Sequence, residues 1–499
     1  MAESPFSVPE RLDELLSRAA AAHPERRAVI AGDTELDYAT LDARVSSVAA
    51  AMREMTGAGD VVAVASVLHP DFAVAYYAAA RAGRTAAVVN PLLREEDLLH
   101  VLSLSGATLA VVDTALQERL GHVRDRLPAL REVIGIGELP EGTGALADPG
   151  TGAEDIAVLQ FTSGTTGRPK AVRLSHRNVV VNAAQVAHAH LLDGDTVALN
   201  HLPTYHPMHL NSAIAAGATQ VLCAAPEPYA ALMAADRHGA TIYYSLPVRL
   251  ARLAADPDLD SMPVRTLKRI ASGGSGLPAT AAHRLTKRFS VPVLQGYGLA
   301  ETSPLTHSDD PDNPVHGSVG TPVAGTECRV VDIDTRAVLP AGTAGEVQVR
   351  GPQVMRGYLG GPDGTGLEPD GWLSTGDVGR VDEDGRLFLV DRLKDVFKCD
   401  NFLVAPSDVE RILLRDPRVA DAVVVELPDA GHGAVAGALV VLKDALGPAL
   451  EDIVAAVNDQ LPYYQHIRDA VTLDTIPRSG NGKVQRRLLA AHLTQHQPA

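Results

Sequence analysis

Residues 159–170 read Leu-Gln-Phe-Thr-Ser-Gly-Thr-Thr-Gly-Arg-Pro-Lys and gather hydroxyls, glycines and a cation into the space of one phosphate group. Thr162, Ser163, Thr165 and Thr166 each offer a hydroxyl donor. Gly164 and Gly167 let backbone N–H groups approach an anion with no Cβ in the way, and Lys170 adds a positive charge. The pattern is not G-x-x-x-x-G-K-[ST], and a proline precedes the lysine, which disfavours a Walker-type kinase or GTPase loop. An apolar run at 156–161 before the loop and the lysine after it separate it from a solvated Ser/Thr/Gly connector. The chemistry on offer is the binding of a nucleotide's phosphates.

Two further stretches place acids in tight turns. Gln295-Gly-Tyr-Gly-Leu-Ala-Glu301 sets a carboxylate just after a glycine turn that follows an expected strand end, where open α/β sheets bind ligands. Glu301 could hold Mg²⁺ against phosphate oxygens there, although read alone it is equally a surface acid. Gly371-Trp-Leu-Ser-Thr-Gly-Asp377 offers a second acid able to accept from ribose hydroxyls, and Asp391-Arg392 follows.

Elements that could position these groups are legible in the pattern. Short β-type runs at 28–30, 61–66, 85–89 and 108–112 alternate with amphipathic or alanine-rich helical stretches at 40–55, 71–81 and 95–104, the rhythm of a helix-covered parallel sheet. A surface connection at 138–155 leads into the phosphate-type loop, and a helix at about 178–190 is expected to point its N-terminus back at that loop. A second sheet of similar design follows from runs at 196–200, 219–223, 241–245, 269–271 and 291–295. Short strands and turns at about 317–390 predict a small β-rich subdomain. The last segment, 391–499, reads as a small mobile α+β domain with a Ser407-x-x-Glu410 capping box, strands at 422–426 and 436–442 and a helix at 450–460. The fold class is therefore α/β, with a large N-terminal domain over 1–390 and a C-terminal domain over 391–499.

Composition narrows the function classes. A chain of 499 residues exceeds one typical core. The formal charge of −17 provides no basic stripe, so nucleic acid is not an expected partner. No apolar run approaches the roughly 20 residues of a membrane span. The opening Met-Ala-Glu-Ser-Pro-Phe-Ser lacks the regions of a signal peptide, and the expected location is the cytoplasm. Cys223, Cys328 and Cys399 are odd in number and lack metal-ligand spacing, which suits a reducing compartment.

Taken in order, the segments resemble the acyl-adenylate-forming superfamily of acyl-CoA synthetases, adenylation domains and firefly-type luciferases, the acyl-CoA synthetases most of all. The motifs are Thr162-Ser-Gly-Thr-Thr-Gly-Arg-Pro-Lys170, Gly296-Tyr-Gly-Leu-Ala-Glu301, Gly345-Glu-Val-Gln-Val-Arg-Gly351, Ser374-Thr-Gly-Asp377, Asp391-Arg-Leu-Lys-Asp395 and Pro477-Arg-Ser-Gly-Asn-Gly-Lys483, and they span nearly the whole chain. The resemblance implies that loop 162–170 wraps the β- and γ-phosphates of ATP and that Glu301 binds Mg²⁺. It implies that Tyr297, between Gly296 and Gly298, stacks on adenine beside Gly274, Ser275 and Gly276. Asp377 then holds the ribose and Arg392 fixes nucleotide and domain position.

By the same resemblance Lys483 is the catalytic lysine, grouped with Glu301, Thr166 and His206. Two anions, the substrate carboxylate and the α-phosphate, must meet in line, and an ammonium between them offsets their repulsion and stabilises charge at the pentavalent phosphorus. The implied reaction activates a carboxylic acid to acyl-AMP with release of pyrophosphate, then forms a thioester with CoA or with a carrier-protein phosphopantetheine. The C-terminal domain would swing about Lys394 between the two halves.

This chain departs from the usual pattern at several positions. Ala300 stands where many members carry threonine, and Thr302 could compensate. Lys170-Ala-Val172 replaces Lys-Gly-Val, a minor change. Lys398-Cys-Asp-Asn-Phe-Leu403 replaces a Lys-x-x-Gly motif beside the pantetheine path, so Asn401 could reshape that path and Asp400 adds negative charge to it, with Lys398 nearby. Asparagine also tolerates the left-handed conformation, which would leave the backbone unchanged.

The acid pocket is expected from Tyr205, His206, Pro207, Met208, Leu210, Leu246, Gly273, Leu299 and Leu305. No aspartate near Pro207 is available for an α-ammonium, which disfavours a free α-amino acid. Expected partners are a small-molecule acid, alternatively with an acyl carrier protein, and a homodimer is an allowed assembly. A thiolation-only enzyme using preformed acyl-AMP and a nucleotide sensor without turnover are the competing readings, both opposed by Lys483 and the phosphate loop.

Overall fold

The computed structural model describes residues 5–494 apart from 145, 163–167, 203–205, 263, 361–365, 401, 444–449, 478–483 and 485. Two units are compact in themselves: 1–328 with 349–373 and 385–387, and 329–348 with 374–384 and 388–499. This division differs from the boundary expected after residue 390, because most of the small β-sheet groups with the C-terminal segment.

The first unit is built on two helix-covered sheets, as the alternation predicts. One orders its strands Glu132–Gly135, Ala107–Val112, Val61–Ala65, Thr85–Val88, Ile156–Thr162 and Lys170–Ser175. All neighbours are parallel except the last pair. Its inner strands, such as Val61–Ala65 and Ala107–Val112, are almost wholly apolar and buried, as expected of parallel strands covered on both faces. The helix Asp71–Arg81, every residue of which is buried, packs against Val61–Ala65, Thr85–Val88 and the helix Tyr38–Met55.

The other sheet runs Thr321–Pro322, Leu305–Ser308, Val293–Gly298, Arg269–Gly273, Ile242–Ser245, Val197–His201, Thr219–Leu222, Arg27–Ala31 and Thr34–Asp37. Arg27–Ala31 was expected in the first sheet and belongs to this one, with Val29 opposite Gln220. An all-apolar parallel strand carries no periodicity that names its partner, so nearest-in-sequence pairing was the default and it fails here. Gly296 and Gly298 lie within the strand Val293–Gly298 rather than in a turn after it.

A second correction concerns the helix after the phosphate-type loop. The strands Ile156–Thr162 and Lys170–Ser175 form an antiparallel hairpin in which Thr162 faces Lys170 and Ile156 faces Ser175. The helix His176–Ala189 therefore starts at the opposite end of the hairpin from residues 162 and 170, roughly 20 Å away at the rise of a β-strand. Its first N–H groups are satisfied locally: Ser175 and Asn178 form a reciprocal capping box. The dipole of this helix cannot serve an anion held at the loop.

Four strands, Glu327–Val331, Gly345–Arg350, Leu373–Val381 and Leu387–Arg392, make the small sheet, most of whose residues belong to the second unit. A further sheet of Phe402–Val404, Phe397–Cys399, Gly433–Leu442, Val419–Asp429 and Ile467–Thr472 packs on the helices Pro406–Leu413, Leu450–Asn458 and Arg486–Thr494. Val424, Leu439, Val440, Ile453 and Leu493 are among its fully buried residues, each contributing about 1.5–3 kcal/mol by removal from water.

The expected capping box at Ser407 and Glu410 is not formed. The helix starts with Pro406 at its first position, where the missing N–H costs nothing. Ser407 sits inside it and donates its N–H to Asp391 Oδ2 at 3.0 Å and its hydroxyl to Val390 O at 2.5 Å. Glu410 instead accepts from Val424 N–H at 2.8 Å and from Arg486 Nη1 at 2.7 Å.

Candidate active site

The hairpin that carries Lys170 is extended by residues 356–359. Arg356 N–H donates to Arg173 O at 2.8 Å, Arg173 N–H to Gly357 O at 2.9 Å, and Leu359 N–H to Ala171 O at 2.8 Å. This pairing fixes Tyr358, whose hydroxyl donates to Glu301 Oε1 at 2.8 Å. The Lys170 ammonium lies over the Tyr358 ring, 5.0 Å from its centroid. Burial and the adjacent Glu301 charge push the phenol's pKa up, so Tyr358 stays protonated and donating at neutral pH.

Glu301 is held through its main chain as well, its carbonyl accepting from Met355 N–H at 2.8 Å. One carboxylate oxygen is oriented by Tyr358, and the half-buried side chain retains oxygen lone pairs for a hard divalent cation, so the residue present fits Mg²⁺. Thr302 does not replace the hydroxyl missing at Ala300. It is fully buried, accepts from Leu299 N–H at 3.1 Å and donates to Pro304 O, which closes the local turn instead.

Beside Glu301 opens a cavity of about 350 Å³ between the C-terminal ends of the parallel strands of the second sheet. Of the expected pocket residues, His206, Met208, Leu246, Gly273, Leu299 and Leu305 line it, together with the nucleotide candidates Gly274, Gly296, Tyr297 and Gly298. Ser275 and Gly276 are exposed and not part of the lining. Neither are Pro207, the first residue of the helix Pro207–Ala215, and Leu210, fully buried in that helix.

Gly298 is required by space: a Cβ there would collide with the Pro304 carbonyl. Gly274 has φ +89°, a conformation that favours glycine. The turn after it is pinned by Gln295, whose Oε1 accepts from Leu277 N–H at 2.8 Å, while Gln295 N–H donates to Asp309 Oδ2 at 2.8 Å. Burial pushes the Asp309 carboxyl up to about 6 despite that donor. Asn182 sets the opposite wall, giving one hydrogen bond to Leu305 O at 2.8 Å and taking one from Leu305 N–H at 3.1 Å.

Residues that sequence reasoning missed include Gln160, His190, His209 and Tyr244, all cavity-lining. His209 lies between the expected pocket residues Met208 and Leu210, and that adjacency is the signal the sequence offers for it. His206 Nδ1 accepts from Met208 N–H at 3.2 Å and Nε2 lies 3.1 Å from Gln160 Nε2. Its ring is thus committed to capping the helix and shaping the wall. Burial holds the His206 and His190 pKa values down to about 4, and that of His209 well below the usual range, so all three imidazoles are neutral.

The second unit carries the other candidates. Asp377, which is buried, meets Arg392 Nε at 2.9 Å, and its N–H donates to Thr375 Oγ1 at 3.1 Å. Lys394 is exposed in the link between Leu387–Arg392 and Phe397–Cys399. Lys398 pairs with Asp334. Asp400, at φ +50°, directs its carboxylate to His432 Nδ1 at 2.9 Å. Ser163, Gly164, Thr165, Thr166, Gly167, Tyr205, Asn401 and Lys483 lie outside the described residues.

The profile of a family described as "AMP-binding enzyme" matches residues 16–359, and that of "AMP-binding enzyme C-terminal domain" matches 408–483. A 4-coumarate–CoA ligase 5 from Oryza sativa subsp. japonica is 31% identical over 95% of this chain and 93% of its own length. Among solved structures, ATP-bound MatB from Rhodopseudomonas palustris superposes with a TM-score of 0.88 at 26% identity, covering 97% of this chain and 99% of that one. The amide bond synthetase McbA from Marinactinospora thermotolerans gives a TM-score of 0.84 at 26% identity, covering 96% and 99%.

Proposed function

Because the chain belongs to the AMP-binding enzyme family and is an AMP-forming acid–thiol ligase, we propose that its acid is an aromatic or arylpropenoic carboxylic acid with an uncharged tail. The enzyme uses MgATP to convert a carboxylic acid to acyl-AMP and pyrophosphate, and the CoA thiol then displaces AMP to give the thioester. The observation that carries the acid class is the cavity wall, which holds no charged side chain among the described residues. A second carboxylate would be buried there without a cation, and an α-ammonium without an anion, each a large desolvation cost. The volume of about 350 Å³, part of whose wall is formed by the nucleotide candidates Gly274, Gly296, Tyr297 and Gly298, suits a small acid. The likeness to a 4-coumarate–CoA ligase supports the same choice.

In this reading the hydroxyls and N–H groups of loop 162–170 hold the ATP phosphates, with Lys170 seated on Tyr358. Glu301, oriented by Tyr358, would hold Mg²⁺, which would supply neutralisation of phosphate charge. Tyr297 and the 274–276 turn take the adenine, and Asp377 with Arg392 the ribose. Lys483 stabilises the charge that develops as the carboxylate oxygen attacks the α-phosphorus. His206 shapes the acyl pocket, and Lys398 and Asn401 lie on the pantetheine path. In this reading the part that moves begins near 390/391, inside the second unit, with Lys394 as the hinge.

A cytoplasmic location and an allowed homodimer complete the reading; among the described residues no helix is long and apolar enough to cross a membrane. A second acceptor reading, a carrier-protein phosphopantetheine or an amine, is favoured by the departure at Asn401 and by the likeness to an amide bond synthetase. The test is pyrophosphate release with MgATP over short, long, aromatic, dicarboxylic and amino acids, with and without CoA. Aromatic acids giving an acyl-CoA support the reading. Turnover confined to diacids or amino acids would overturn the acid class, and acyl-AMP that accumulates regardless of CoA would move the acceptor.

A further inference from the structure

One wall of the cavity is made of His190, His206, His209 and Tyr244. The Tyr244 hydroxyl lies 2.9 Å from His190 Nδ1, and the His209 ring packs on Tyr244 with centroids 4.3 Å apart and planes inclined by 52°. His206 is committed to Met208 and Gln160. His209 differs from its neighbours: its Nδ1 is buried with no hydrogen-bond partner among the described residues. Native proteins seldom leave such a group unpaired, and where they do the reason is to be sought in function.

Resting on the cavity as the acid's pocket, we propose that His209 and Tyr244 form a polar subsite for a neutral hydrogen-bond donor on the acid's ring, such as a phenolic hydroxyl or an N–H. A neutral imidazole keeps one lone pair, so His209 is an acceptor rather than a charge. Rotation about its Cβ–Cγ bond exchanges Nδ1 with Cδ2, and the ring is free to select the better placement because it breaks no hydrogen bond of Nδ1 in doing so. In the tautomer where His190 Nδ1 accepts the Tyr244 proton, the phenol oxygen keeps its lone pairs as a second acceptor beside the first. A site built this way discriminates against the analogue that lacks the donor, since the acceptors are then left dry and unpaired. Substituents without a proton to give gain nothing from it.

The experiment uses matched pairs: an arylpropenoic acid with a ring hydroxyl and its deoxy analogue, and the same pair as benzoic acids. The ratio of kcat/KM within each pair is measured by pyrophosphate release for the native enzyme, His209→Leu and Tyr244→Phe. The native enzyme is expected to favour the hydroxylated member by about tenfold or more, and His209→Leu to bring the ratio within about threefold of one, with Tyr244→Phe between them. Calorimetric Kd values for the same acids without ATP keep two failures apart. A binding preference that vanishes in His209→Leu supports the subsite even if no acid turns over, which would sink the ligase reading alone. A native ratio near one, or a preference that persists in both variants, overturns the subsite. Should His209→Leu fail to fold, His209→Asn and Tyr244→Phe carry the same comparison.

Discussion

The Tyr358 hydroxyl donates to Glu301 Oε1 at 2.8 Å while the same ring supports the Lys170 ammonium at 5.0 Å, so one phenol links the two residues proposed to meet Mg²⁺ and phosphate. Tyr358→Phe keeps the ring under Lys170 and removes only the hydrogen bond to the carboxylate. A hydrogen bond to a charged group is worth about 1.5–3 kcal/mol, so the Mg²⁺ concentration for half-maximal pyrophosphate release is expected to rise roughly tenfold or more. The melting temperature should move little. An unchanged Mg²⁺ dependence would show that Tyr358 serves packing alone.

Gly298 has no room for a side chain, since its Cβ would meet the Pro304 backbone carbonyl, which cannot swing away as a flexible side chain would. Gly298→Ala is expected to cost about 1–3 kcal/mol by overpacking and to displace Tyr297 or Leu305 at the cavity wall. Both the melting temperature and kcat/KM for the acid should fall. Gly32→Ala, at φ +60° with nothing within 4 Å, is the control: it strains the backbone without crowding the cavity. If the two variants lost acid activity equally, the steric account of Gly298 would fail.

Most helices and both large sheets were legible because α/β alternation writes two periods into one chain, as at Asp71–Arg81 and Val197–His201. What failed was long-range partnership. Arg27–Ala31 reads identically whether its neighbour is Val61–Ala65 or Thr219–Leu222, and only the folded register decides. The N-terminus of His176–Ala189 was assigned to the phosphate-type loop because sequence gives order but not the hairpin reversal between them. The cavity lining was legible where a motif is contiguous, as in 296–300, and silent where residues converge from afar, as with His190, His209 and Tyr244.

Lys483 is tested through activity. Lys483→Ala removes the ammonium proposed to sit between two anions, and pyrophosphate release is expected to drop by two or more orders of magnitude, in line with other single-group losses in preorganised sites. Conversion of chemically supplied acyl-AMP to acyl-CoA should fall far less. Equal loss in both halves would argue that the lysine holds the domain together.

Asn401→Gly separates the halves in the opposite sense. If Asn401 narrows the pantetheine path, its removal should lower the KM for CoA severalfold and leave acyl-AMP formation alone. The comparison is single-turnover acyl-AMP formation against thioester formation. An equal change in both would assign Asn401 to packing.

Asp309 gives a pH dependence whose sign follows from burial. Its carboxyl is pushed up to about 6 from an ordinary 3.8, chiefly by desolvation. The folded state therefore binds the proton more tightly than the unfolded chain, and the stabilising contribution is full below pH 3.8 and lost as pH rises through 6. Asp309→Asn keeps an oxygen for the Gln295 N–H while removing the charge. The variant's melting temperature relative to the native protein should climb between about pH 4 and 6.5 and then level, by an amount worth about 1–3 kcal/mol. Because Gln295 also pins the 274–276 turn through Leu277, the KM for ATP should be less sensitive to pH in the variant over the same interval. A stability difference that does not vary with pH would mean the native carboxyl titrates as if exposed, and that Gln295 rather than burial governs this corner of the cavity.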